Sequence, residues 1–240
     1  MDIHVRKYGG SYVATAEQIN QICNSLPKNP IVIVLSAPFG RTAELYEALS
    51  TAKFSAAYNH LIALGEQESC LKFKVALEQL GREVEIVSYT QAGIEASQSH
   101  GGSIVSCSPS YIKSRLLEGK SVIVAGFQGL YKEQLAILAR GSSDDTAVAL
   151  SIGLGCPCHI YSNVPYIFNY QGQQHQSIYY DTLLNMITEF QAPMSRSSVL
   201  MAKAYEKEIW FGRWDSDQAG TIICQKDLLH DNLPEEMGLF

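Results

Sequence analysis

Charge is scarce in this 240-residue chain: Asp, Glu, Lys and Arg make up 18% of it, and the net charge is −6. No basic cluster offsets that balance locally, so the electrostatic footprint of a nucleic-acid binder is missing. Long apolar runs are missing too; none approaches the roughly 18 residues that span a bilayer. The opening MDIHVRKYGG places charge where a signal peptide would carry its apolar stretch. The expected location is the cytoplasm, with no membrane and no nucleic-acid partner.

Cysteine offers no framework. The six cysteines, at 23, 70, 107, 156, 158 and 224, follow no disulfide spacing. Cys156-Pro157-Cys158-His159 suggests a soft metal site, but zinc needs two more ligands nearby. Thiols leading into an apolar strand behave as small hydrophobes, and the six histidines form no HxxxH-like pattern. No metal held by the protein itself is expected. Neither GxxxxGKS/T nor GxGxxG occurs, which removes the fingerprints of P-loop and Rossmann dinucleotide sites. No nucleophile elbow, internal repeat or low-complexity linker is visible.

What is present is a 46% hydrophobic composition, enough for a substantial core. Apolar runs alternate with helix-period segments, the pattern of an α/β layered fold with a mostly parallel sheet. Strands are predicted at residues 3–6, 31–35, 84–88, 121–125, 159–162, 209–213 and 221–224. The β-branched run at 31–35 reads as buried and parallel. One helix opens at Thr15, with Gln18 in the capping-box position. Others are predicted at 42–50, 66–80, 111–118, 144–153, from 181, and at 199–206. The polar, Gly/Ser-rich residues 91–109 read as loop with short strands, and Ser108 or Ser110 is the expected cap of helix 111–118.

Two strand-to-helix junctions combine glycine with hydroxyl groups: Lys7-Tyr8-Gly9-Gly10-Ser11 and Ala139-Arg140-Gly141-Ser142-Ser143-Asp144. Glycine lets backbone N–H groups approach an anion, and a helix N-terminus favours negative charge. Lys7 brings a full positive charge for a transferring phosphoryl group. Each junction alone also reads as an ordinary structural turn. The missing general base is informative for one reaction class. A carboxylate acceptor is already ionised at neutral pH, so positioning and charge neutralisation suffice.

In this order, the segments resemble the aspartokinases of the amino acid kinase family. Lys7-Tyr8-Gly9-Gly10-Ser11-Tyr12-Val13 looks like the K-F/Y-G-G-T/S-S-V signature. Val34-Leu35-Ser36-Ala37-Pro38-Phe39-Gly40-Arg41-Thr42 is similar to V-V-S-A-x-x-G-x-T, and Gly65-Glu66 to the S-x-G-E helix start. The nearest match is Val124-Ala125-Gly126-Phe127-Gln128-Gly129 with Arg140-Gly141-Ser142-Ser143-Asp144-Asp145-Thr146-Ala147, written V-x-G-F-x-G and G-R-G-G-S-D-x-T-A in the family. Ala219-Gly220-Thr221-Ile222-Ile223 resembles the closing G-T-x-I strand.

The resemblance implies a three-layer αβα sandwich, one domain over 1–240, with an acceptor-binding lobe to about 130 and a nucleotide-binding lobe beyond. It implies catalytic roles for Lys7 and Asp144, and phosphate contacts from Gly9, Gly10, Ser11 and Gly40. Arg140 would bind the acceptor carboxylate and Glu66 its ammonium, with Thr42, Phe127 and Ser143 lining the same pocket. Ser162, Asn163, Phe168 and Arg196 would serve the nucleotide. The expected co-substrate is ATP with Mg2+ carried on its phosphates, and the partners are a small amino acid or carboxylate, with a homodimer as an expected assembly.

The departures matter as much. The family's T-D-V-D/P-G-I/V-Y-T-x-D-P-R nucleotide segment appears as residues 162–173, without its acidic residue or its D-P-R charges. The G-A-K-V-L-H-P segment appears as Gln191-Ala192-Pro193-Met194-Ser195-Arg196-Ser197, without the second lysine; Arg196 and Lys203 are the candidate replacements. Only about 30 residues separate Ser36 from Glu66, so a portion near the substrate mouth is trimmed, and no ACT module is expected after residue 223. Three functions compete: an aspartate kinase, a kinase for another carboxylate or amino acid, and a degenerate kinase-like binding protein.

Overall fold

The computed structural model describes residues 3–189, 193–215 and 220–225. It opens with β1 (Val5–Tyr8), a 3-10 turn (Gly10–Tyr12), α1 (Ala16–Ser25), β2 (Val32–Leu35), α2 (Arg41–Ala48) and α3 (Ala56–Gln79). β3 (Val84–Val87), β4 (Ile94–Ala96), β5 (His100–Gly102), β6 (Ile104–Cys107), α4 (Ser110–Leu117), β7 (Ser121–Ala125), β8 (Gln128–Tyr131) and β9 (Gln134–Leu138) follow. Then come α5 (Ser143–Leu154), β10 (Cys158–Tyr161), β11 (Ile167–Phe168), β12 (Gln174–His175) and β13 (Ser177–Tyr179). α6 (Tyr180–Glu189), α7 (Arg196–Ala204), β14 (Ile209–Gly212) and β15 (Thr221–Cys224) complete the order.

Eight strands form the main sheet in the order β13-β15-β14-β10-β1-β2-β7-β3. Neighbours run parallel except β14 with β15. Alternation along the strands divides the core. Val32, Val34, Val122 and Val124 face α4, α5 and α7, meeting Ile112, Leu116, Ala147 and Val199. Ile31, Ile33, Leu35 and Ile123 face the other way, onto Ile22 of α1 and Phe73 and Leu77 of α3. Each such fully buried side chain contributes about 1.5–3 kcal/mol. The result is the expected αβα layering. Cys156 and Cys158 are buried in the first of these layers, as the apolar reading of that motif requires.

A second sheet, β5-β9-β8-β4-β6, stands beside the first. Residues 128–138, for which the sequence pattern predicts no strand, form the β8–β9 hairpin. Lys132 and Glu133, both with positive φ, supply its turn, the conformation that matches strand twist. The N-terminal half of α3 packs Tyr58, Ile62 and Ala63 against this hairpin, while its C-terminal half covers the main sheet.

Two expectations need correction. α3 begins at Ala56, capped by Ser55, whose Oγ accepts the Tyr58 N–H at 3.1 Å. Gly65-Glu66 therefore lies inside the helix, not at its start. A helix-interior glycine is unfavourable by propensity, but a Cβ at Gly65 would stand 2.8 Å from Ala37 Cβ, so close packing requires it. At α4 the cap position falls on Pro109 with no side-chain hydrogen bond, so neither Ser108 nor Ser110 caps it. Among the described residues no helix is long and apolar enough to cross a membrane.

Candidate active site

β1 lies inside the sheet between β2 and β10, and the three strands end in register at Tyr8, Leu35 and Tyr161. The loops leaving these ends, with the turn after β7, gather at the carboxyl edge of the parallel sheet, where open α/β folds bind ligands. The Gly9 N–H donates to Tyr161 O at 3.1 Å, and the Phe39 N–H donates to Gly10 O at 3.1 Å. A Cβ on Gly10 would sit 2.5 Å from Ala37 O, so only glycine lets the 9–11 and 36–40 loops touch. Ser11 continues the first loop into the 3-10 turn, partly exposed.

Lys7 points its Nζ to within 2.7 Å of Asp144 Oδ1, and both side chains are mostly buried. Asp144 sits in the first turn of α5 beside Ser143, at a helix entrance whose polar residues 142–145 are all buried. That entrance reaches the end of β7 because Gly126 has no side chain; a Cβ there would lie 2.7 Å from Ser143 Cβ. Thr146 Oγ1 accepts the Phe127 N–H and donates to Ser142 O. Phe127 itself holds φ +66 and is buried among the β9 side chains. Its ring packs in the same cluster as Tyr58, Ile62 and Ala63 of α3.

Glu66 is 3% exposed. Its Oε1 accepts the Ala37 N–H at 3.2 Å, tying α3 to the 36–40 loop, while Oε2 has no partner. Burial raises its pKa to about 7, opposed by hydrogen bonds from backbone N–H groups. An unpartnered buried carboxyl oxygen fits a positively charged group of an acceptor. Thr42 stands in the first turn of α2, just after Gly40, which takes φ +85. Arg140, exposed before Gly141, lays its guanidinium 5.3 Å from the centre of the Tyr46 ring. Burial and the Tyr58 hydroxyl raise the Tyr46 pKa to about 12; Arg140 opposes this and Glu66 adds to it, so both charges lie within its reach.

On the other side, Ser162 follows β10. Its N–H donates to Gly212 O at 2.8 Å, and its carbonyl accepts Tyr12 OH at 2.6 Å, linking this loop to the first. Asn163 is exposed and Phe168 lies in β11. The neutral residues 169–173 close the β11–β12 turn on themselves, with Asn169 Oδ1 accepting the N–H groups of Gln171 and Gln173. Arg196 is turned away: its Nη1 donates to Thr188 Oγ1 at 3.1 Å on α6. Lys203 pairs with Asp181 at 2.5 Å. Both candidate replacements for the second lysine are thus engaged by side chains of α6. Gln191, Ala192 and Ala219 lie outside the described residues.

Asp145 escaped the sequence reading because its motif position accepts any residue. It is buried, accepting from Ser195 Oγ at 2.5 Å and Ser197 Oγ at 2.6 Å, so it fastens α7 to α5. Burial raises its pKa, and those hydrogen bonds pull it back.

The parallel sheet thus carries Gly-rich loops and a Lys–Asp pair at its carboxyl edge. The profile of the amino acid kinase family matches residues 2–212, and the chain belongs to that family. It is 32% identical over 242 residues to the aspartokinase of Corynebacterium efficiens, covering 93% of this chain and 58% of that protein. It superposes on the aspartate kinase of Synechocystis with a TM-score of 0.78 at 28% identity, covering 93% of this chain and 40% of that one. Escherichia coli aspartokinase III in complex with aspartate and ADP gives a TM-score of 0.79 at 21% identity, a likeness of fold. The chain thus spans less than two thirds of each of these relatives: 58%, 40% and 65% of their lengths.

Proposed function

We propose that the chain transfers the γ-phosphoryl group of ATP to a carboxylate of a small amino acid, with aspartate the first choice. The observation that carries this reading is Glu66: a buried carboxyl with one unpartnered oxygen, hydrogen-bonded to the loop that packs on Gly10. Such a group suits the ammonium of an amino acid held beside the phosphate loop. The aspartokinase relatives point the same way.

In this reading the residues up to Ser143 hold the acceptor, and those around 162–168 the nucleotide. Arg140 grips the acceptor carboxylate as a planar fork. Glu66 holds the ammonium, and the reacting carboxylate approaches the γ-phosphorus over the 9–11 loop. The new bond joins carboxylate oxygen to phosphorus, and the bond from phosphorus to the ADP oxygen breaks. No proton has to move. Lys7, oriented by Asp144, stabilises charge on the transferring group, and Gly40 and Gly141, open around their Cβ positions, leave room for its oxygens. Mg2+ carried on the phosphates would neutralise part of their charge.

ADP release measured across a panel of amino acids tests the proposal: aspartate should stimulate it, and no stimulation by any carboxylate-bearing amino acid sinks it. Arg140→Lys should raise the acceptor KM about tenfold or more, because lysine cannot form the bidentate contact, and leave ATP affinity nearly unchanged. An unchanged KM removes Arg140 from the acceptor site.

The nucleotide site should be weak. The 162–173 segment lacks the family's charges, and each lost charged contact costs about 1.5–3 kcal/mol. ATP–Mg should bind by calorimetry in the millimolar range; low-micromolar binding would show that other groups compensate. A second reading, a binding protein without turnover, draws on Arg196 and Lys203 being engaged elsewhere. It predicts that aspartate binds while ADP release stays at background.

A further inference from the structure

We propose that Tyr46, His100 and Asn59 form a side-chain chain that positions Arg140 and sets its distance from Glu66, so that this aromatic cluster selects the length of the acceptor. The inference rests on the acceptor reading above. No residue of the chain belongs to the motifs that carry the family resemblance.

Asn59 is the anchor. It is 3% exposed, and its Nδ2 donates to Ser99 O at 2.7 Å and Leu135 O at 3.0 Å. Two carbonyl partners fix the amide orientation, so Oδ1 must accept from the group opposite it. That group is His100 Nδ1, at 2.9 Å. The ring proton is thereby assigned to Nδ1, leaving the Nε2 lone pair to accept Tyr46 OH at 3.3 Å. Burial lowers the pKa of His100, which favours the neutral ring that this polarity requires.

The histidine ring cannot swing freely. Phe54 stacks on it at 4.2 Å with an interplanar angle of 17°, and Tyr58 meets it edge-on at 5.2 Å. Tyr46 is therefore held by its hydroxyl and by its neighbours, and its face carries the Arg140 guanidinium at 5.3 Å. An otherwise exposed arginine gains a fixed platform. Asn59 and Tyr58 belong to α3, the helix that also carries Glu66. One rigid element thus references both ends of the acceptor: the acid directly, and the guanidinium through the chain. A pocket with both charges fixed discriminates between dicarboxylic amino acids that differ by one methylene.

The test combines kinetics with a readout that needs no acceptor. Tyr46→Leu should raise the aspartate KM about fivefold, the scale of a lost cation–π contact, with kcat within about twofold because the group acts on binding. The preference for aspartate over glutamate should shrink with it. Tyr46→Phe keeps the ring and breaks the hydroxyl link, so its KM should rise about two- to threefold, the scale of one neutral hydrogen bond. Tyr46→Trp restores a face and should recover Tyr46→Leu. In the acceptor-free protein, 15N relaxation of the Arg140 Nε–H should show an ordered side chain that becomes mobile in Tyr46→Leu and in His100→Asn. Equal Arg140 order in all variants, or kcat falling with KM unchanged, overturns the inference. If the wild type phosphorylates no carboxylate, the functional proposal fails by itself, and the relaxation measurement still decides whether the chain positions Arg140.

Discussion

Lys7→Ala should abolish phosphoryl transfer in a protein that still folds. The ammonium lies at the start of the Gly9-Gly10 loop, 2.7 Å from Asp144, where its charge acts mainly on the transferring group. Removing such a group costs on the order of 3 kcal/mol or more in the transition state, a hundredfold or greater loss in kcat. The same change leaves Asp144 buried without its cation, which is destabilising in its own right. A second variant separates the two effects. Lys7→Ala combined with Asp144→Asn removes the stranded charge, so its Tm should recover while turnover stays lost. Near-normal turnover in folded Lys7→Ala takes Lys7 out of the mechanism.

Glu66→Gln should move stability and acceptor binding in opposite directions. Burial holds the carboxyl at about 7 in the fold, against 4.5 for an ordinary glutamate. The sign follows from proton binding. A folded group that keeps its proton to higher pH is most favourable below 4.5, loses ground as pH rises from 4.5 to 7, and carries a constant penalty above 7. That penalty is about 3 kcal/mol from the size of the shift, so without acceptor the glutamine variant should melt higher at pH 8. At pH 4 the two should melt together.

The acceptor reverses the preference. Its ammonium needs the ionised carboxylate, so aspartate affinity should fall as pH drops through about 7 in the wild type and be flatter in Glu66→Gln. Comparing aspartate with its amine-free analogue succinate in both proteins completes a double-mutant cycle. A coupling of about 3 kcal/mol is expected for a buried charge pair. If the two losses simply add, Glu66 does not contact the amine.

Much of the architecture was legible in the chain. The β-branched run at 31–35 became β2 of the parallel sheet, and Thr15 with Gln18 became the capping box of α1. The alternation of strand and helix, with family motifs at the strand ends, was sufficient to bring Lys7 next to Asp144. The sequence marks Glu66 as a site residue but not its place in the middle of α3. A local pattern sees glycine as a boundary, whereas Gly65 is set by a tertiary contact with Ala37. The β8–β9 hairpin was hidden because its turn, Lys132-Glu133, lacks the glycine or asparagine that usually marks positive φ. Asn59, His100 and Tyr46 could not be read at all, since a hydrogen-bond chain between α2, α3 and β5 has no signature in spacing. Nor does spacing show that α6 offers Arg196 a hydroxyl and a carbonyl acceptor.

The family does not by itself fix the acceptor. One fold hosts many unrelated chemistries, so function has to be argued from the site. The central claim is that a carboxylate oxygen takes the phosphoryl group, and its product, an acyl phosphate, is reactive toward hydroxylamine. The direct measurement incubates the protein with ATP–Mg, aspartate and hydroxylamine and assays the hydroxamate formed. Hydroxamate should accumulate in proportion to ADP, require aspartate, and vanish in Lys7→Ala. ADP released in step with aspartate but without hydroxamate would contradict the account, because the phosphoryl group would then have gone to water or to another oxygen.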